Sequence, residues 1–190
     1  MTTAVRVSCA GLAGGLAFNV AMLVTFRLFG FGLNEDGPLL DPALQASKLI
    51  AVWTTLEPRP LIVARPFLMA CGLVGFAVLH AAVYASVRDA WPPNPLSRAT
   101  RLAALLLLQF AFWEFFTPFN LFGEPLGLIG LELSFWAVIA AAEALAIVSV
   151  FHVGDGRHRL PATTKTLRRL IASGLKIIRE TVNVSGQEGD

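Results

Sequence analysis

The chain has 190 residues, of which 55% are hydrophobic and 15% charged, and its mean hydropathy is +0.65. Soluble domains carry about 25% charged residues, so the composition excludes an ordinary water-soluble domain, and a net charge of +2 without any recognition motif excludes a nucleic-acid partner. Cys9 and Cys71 both sit in apolar stretches without CxxC or Cys/His spacing, which excludes a disulfide framework.

The first apolar run extends from about Val7 to Phe29, behind Arg6. It is longer than a signal-peptide core, and no small-residue cleavage site precedes a polar mature domain, so it reads as a retained helix. Gly11 and Gly15 form a GxxxG within it, a pattern that permits close helix packing. In the loop that follows, Asp41-Pro42 reads as a cap and first turn. Leu49, Val52, Trp53 and Leu56 then repeat at helical spacing before Glu57-Pro58, predicting an amphipathic helix over about 41–57.

The second run covers about 67–87 and contains His80 and Tyr84, one turn apart on the same face. Trp91 follows as an interfacial anchor. The third begins near Leu102 and reaches Phe116, or Phe122 if the chain continues past Pro118. The turn-rich Thr117 to Pro125 segment fits only a tight hairpin, so the third and fourth helices should be neighbours. The fourth run, about 126–151, carries a second small pair, Gly130 and Ser134. None of these runs alternates as a barrel strand does. The expected fold is all-α: a polytopic integral membrane protein with four transmembrane helices and two amphipathic surface helices.

Residues 1–156 form the expected membrane domain and 157–190 a basic tail. Within that tail, a helix over about 163–182 places Leu167, Leu170, Ile171 and Ile178 on one stripe. Arg168, Arg169, Lys176 and Arg179 lie mostly opposite, suited to anionic lipid headgroups. Arg6, Arg88, Arg98, Arg101 and the tail cations fall on one side of the membrane. Arg27, Lys48, Arg59 and Arg65 on the other are offset by Glu35, Asp36, Asp41 and Glu57. The positive-inside rule therefore predicts both termini on the cytoplasmic side of the cell membrane.

Ionisable groups within a span cost about 2.5–3.5 kcal/mol each on insertion scales, so His80, Glu114, Glu132 and Glu143 require partners or roles. His80 and Glu143 lie at similar depth, roughly 10 and 12 Å from the inner helix ends, and can meet. Glu132 and Glu143 are eleven residues apart and share one side of the fourth helix; with Glu114 they predict a ladder of protonatable groups. The competing expectation is structural, with the carboxylates bonded to Asn19, Gln109, Tyr84 or indoles. Trp113 and Trp136 are deep enough to line a cavity, although packing is the commoner fate of a buried indole.

A zinc or iron site from His80, Glu143 and Glu114 has suitable ligand types but no i, i+3 or i, i+4 ligand pair. His152 and His158 lie too near the membrane edge to oppose His80 across a haem. No metal or other cofactor is expected. No phosphate loop, nucleophile elbow or HExxH occurs, leaving only a lipid enzyme built around Asn120, Glu124 and the outer-loop arginines at the outer interface as a catalytic option. The leading expectation is a non-catalytic accessory or assembly subunit, with the bilayer and other membrane subunits as partners. The alternative is a small proton- or cation-coupled transporter or channel using His80, Glu114, Glu132 and Glu143.

Overall fold

Backbone in hydrocarbon must satisfy its N–H and C=O groups within its own segment, and the four apolar runs do so as helices in the computed structural model, which describes residues 2–156. Helix α1 (Thr3–Met22) opens on Thr2, whose hydroxyl accepts from the Val5 N–H, and continues as π-helix over Leu23–Gly30. Two loop helices follow, α2 (Ser47–Thr54) and α3 (Leu61–Ala64). Helix α4 (Pro66–Val87) ends in a 3-10 turn over Arg88–Ala90. Helix α5 (Pro95–Glu114) passes into π-helix over Phe115–Phe122, and α6 covers Leu126–Gly156.

Among the described residues, four stretches are long and apolar enough to cross a membrane: Thr3–Gly30, Pro66–Ala90, Pro95–Phe122 and Leu126–Val153. The protein is thus an all-α, multi-pass membrane protein, and no strand occurs among the described residues. Met1–His152 and Val153–Asp190 form separate compact units; the packing below is that of the first. The expected tail helix with Arg168, Arg169, Lys176 and Arg179 lies outside the described residues.

The four spans run up and down. At one end the Arg6 and Arg88 guanidinium groups lie 5.9 and 5.0 Å from the Phe151 ring centre, bringing the ends of α1, α4 and α6 together. At the other, the loop end, Lys48 donates to the Leu121 carbonyl at 2.6 Å, tying α2 to the hairpin between α5 and α6. Lipid is as apolar as leucine, so helix association relies on close packing rather than expulsion of water. Small residues make the closest contacts. A Cβ on Gly11 would lie 2.5 Å from the Val78 backbone, and one on Gly15 2.7 Å from that of Val74. Gly14 points instead to α6, where a Cβ would meet Ile147 at 2.7 Å.

Ala10, Ala81, Ala99, Ala140 and Ala144 pack with Tyr84, Leu102, Leu106, Ile147 and Phe151 in the half away from the loop. Phe18, Ile139, Phe110 and Trp136 form a layer nearer the loop, with the Phe110 and Trp136 rings stacked at 4.5 Å. The GxxxG of α1 therefore packs as its sequence predicts. Gly130 does not: a Cβ there would meet nothing within 4 Å, and Ser134 is likewise exposed.

Two boundaries differ from the sequence reading. The loop helix spans 47–54 rather than 41–57, because Asp41 accepts from the Ala43 N–H at 2.8 Å and closes a separate turn. Ala46 is extended, and Leu56, 52% exposed, lies beyond the helix. Helix α5 begins seven residues before Leu102, since Asn94 caps the Leu96 and Ser97 N–H groups and Pro95 suits the first turn. Arg98 and Arg101 consequently lie on that helix. Pro118 is absorbed without a break, in a π-helical segment whose wider turns tolerate its missing N–H.

Candidate functional site

Glu114 is the last residue of α5, and Glu132 lies on α6 six residues after Leu126, roughly 9 Å along its axis. Glu124 stands between the two helices. Gly123 makes that placement possible by adopting φ +71, a left-handed cap over the π-helical segment. The Glu124 N–H then donates to the Pro118 carbonyl at 3.1 Å, turning the carboxylate inward beneath the loop. Carboxylate oxygens from Glu114, Glu124 and Glu132 all lie within 4.8 Å of one another, and all three residues are buried.

Two donors orient this group from outside. The Trp136 indole N–H donates to one oxygen of Glu114, and the Gln45 side-chain amide donates to one oxygen of Glu124 at 2.6 Å. Gln45 is itself buried, and its carbonyl oxygen accepts from the Ala46 N–H at 2.8 Å, which fixes the amide orientation. The remaining oxygens of Glu114 and Glu124 are buried and receive no donor from the described protein outside the cluster. Glu132 shares this close grouping, in which two carboxyl groups can share a hydrogen bond. Such a bond between carboxyl groups exists only where one carries a proton.

None of the described ion pairs involves these three residues. Three negative charges this close and removed from water repel strongly and carry a desolvation penalty of several kcal/mol each. The centre must therefore hold protons or a cation. Burial pushes the Glu124 carboxyl above its ordinary value of 4.5, and the Glu114 charge adds to this; hydrogen bonds from Gln45 and Glu132 partly oppose it.

A second centre lies deeper. His80 Nδ1 and Glu143 Oε1 are 2.8 Å apart, with Glu143 fully buried. This is the meeting that equal depth predicts. Tyr84, expected as a polar partner of His80, packs its ring 5.2 Å from Phe151 and 5.9 Å from Trp91.

The ladder from Glu132 to Glu143 is not continuous. About 16 Å of helix separates them, and the Phe18, Phe110, Trp136 and Ile139 layer fills the interval. Glu114 joins the loop-end cluster instead of His80 and Glu143, so the metal set His80, Glu143 and Glu114 is not assembled. Of the expected carboxylate partners, an indole is used, that of Trp136. Asn19 donates to the Gly15 and Ala70 carbonyls, and Gln109 is exposed.

Trp113 is 57% exposed and does not line the cavity described below. Asn120 is exposed as well, and neither it nor Glu124 lines that cavity. Sequence spacing alone missed Gln45, whose role depends on a contact across 79 positions, and placed Glu124 in the wrong setting. A hint was available: a polar side chain next to a short turn, in a loop too tight to turn it away from the helix ends. No protein-family model, curated protein or solved structure matches this chain.

Proposed function

We propose that this protein is a small proton-coupled membrane transporter or channel in which Glu114, Glu124 and Glu132 bind and release the proton. The carrying observation is their convergence within 4.8 Å in a buried site with two fixed N–H donors. Buried ionisable groups in a membrane domain mark ion or proton pathways by default. The His80 and Glu143 pair supplies a second protonatable station, and transfer between the stations requires motion or hydration in the aromatic layer. The basic flanks support an orientation with the termini in the cytoplasm, which would place the three-carboxylate centre toward the opposite face.

The test is proton flux into liposomes containing the purified protein, read by an internal pH dye. Glu132→Gln and Glu114→Gln should each abolish flux while leaving the thermal midpoint close to that of the parent. Infrared spectra should also show a protonated carboxyl band that Glu132→Gln removes. Parental flux with no loss in either variant would reject the assignment, as would absence of both parental flux and the protonated band.

A second reading, an accessory subunit of a larger complex, is favoured by one observation. Gly127, Gly130 and Ser134 present a small-residue face on α6, and a Cβ on either glycine would meet nothing within 4 Å. Purification in mild detergent distinguishes it: defined companions, lost in Gly130→Leu, would favour the subunit reading over independent transport.

A further inference from the structure

A cavity of about 590 Å³ lies at the loop end, between α1 with its π-helical extension, α4 and the loop 31–65. Its volume falls within the range of small-molecule sites, roughly 300–1,000 Å³. Its chemistry changes with depth. Asn19 and Met22 of the first span, with Ala70 and Leu73 of the second, line the deep part. Asn19 lies roughly 16 Å of helical rise from Gly30, and its amide is satisfied by the Gly15 and Ala70 carbonyls at 2.8 and 3.4 Å. The deep part therefore offers an apolar wall to a ligand. Leu23, 57% exposed in the first span, also contributes to the lining.

The shallow part is charged in a particular way. Arg27 and Glu35 both line the cavity, yet neither takes part in any of the described ion pairs. The Arg27 guanidinium donates to the Gly32 and Leu33 carbonyls at 2.7 and 3.0 Å, which hold it in place without neutralising it. Arg59, the other cation of the lining, is 3.3 Å from Glu57 and so is already matched. The lining at this end thus includes one anchored cation and one carboxylate over a largely apolar slot.

We infer that this cavity binds one phospholipid of the surrounding leaflet, with an acyl chain along Met22, Ala70 and Leu73, its phosphate at Arg27 and a primary ammonium headgroup at Glu35. The guanidinium suits phosphate through charge and directed N–H donors. A carboxylate that has no cation of its own favours an ammonium with N–H groups to donate, which a quaternary choline lacks and a glycerol headgroup does not carry as charge. An acyl chain exchanges one apolar environment for another on entry, so the headgroup pair supplies the selectivity. This inference uses none of the residues of the carboxylate centre and stands or falls separately from the proton reading.

The experiment uses the full chain, purified in mild detergent and equilibrated with equal amounts of phosphatidylethanolamine, phosphatidylcholine and phosphatidylglycerol, with retained lipid measured by native mass spectrometry. One phosphatidylethanolamine per chain should be retained at least tenfold over the other two. Glu35→Gln should remove that preference; Glu35 is an exposed loop residue, so its replacement leaves the fold intact. Ala70→Phe should expel the lipid by filling the slot. Equal retention of all three lipids would overturn the inference, as would a preference for phosphatidylglycerol or one that survives Glu35→Gln. Should Ala70→Phe fail to fold, the Glu35→Gln comparison still decides.

Discussion

Glu124 joins two facts that oppose each other at neutral pH: it is 1% exposed, and one of its oxygens has no donor outside the carboxylate cluster. Its raised proton affinity follows mainly from burial. Between its ordinary value of 4.5 and its higher folded value, the folded chain keeps a proton that the unfolded chain has released. The stability from this group is therefore complete below the ordinary value and lost as pH rises through the window above it. Thermal midpoints should fall as pH rises above the ordinary value of 4.5, and Glu124→Gln should flatten that dependence. An unchanged slope would assign it to other groups. At the second centre, His80→Ala leaves Glu143 buried without its partner and should cost about 1–3 kcal/mol. His80→Ala combined with Glu143→Ala should cost less than the sum of the two single changes, which a double-mutant cycle in detergent would measure.

At the scale of the helix, the two small-residue patterns behave differently although they look alike in sequence. Gly11 and Gly15 face α4 at distances where a Cβ would strike backbone, while Gly130 faces open space. Gly11→Leu and Gly15→Leu should each destabilise the bundle by about 1–3 kcal/mol or more through overpacking. Gly130→Leu should change the isolated chain's stability by no more than about 0.5 kcal/mol. Reversible unfolding in mixed micelles would separate the two classes, and equal effects at Gly15 and Gly130 would contradict the packing described. The π-helical ends of the first and third spans also belong to this scale. In the third, the π-helix carries the chain past Pro118 to Gly123, and this sets where Glu124 enters.

For the whole molecule, a buried charge cluster in lipid must be neutralised by protons or a cation, and the proposed proton exchange makes that necessity the working part of the protein. Trp136 belongs to both the cluster and the aromatic layer, donating to Glu114 while stacking on Phe110. Trp136→Phe keeps the ring and removes the donor. It should therefore shift the pH midpoint of flux while leaving the layer packed, and a parental pH profile in that variant would separate the indole from proton binding. The sequence by itself determined the number of spans, their approximate limits and the adjacency of the last two, and it allowed His80 to meet Glu143, because length, hydropathy and helical rise act locally along each segment. Only the tertiary structure decided that Glu114 and Glu132 meet Glu124, that Gln45 reaches Glu124, that aromatic rings divide the two centres, and which glycines face protein. Those outcomes depend on helix rotation and on a loop folding over the bundle end, and neither is set by the spacing of residues within one helix.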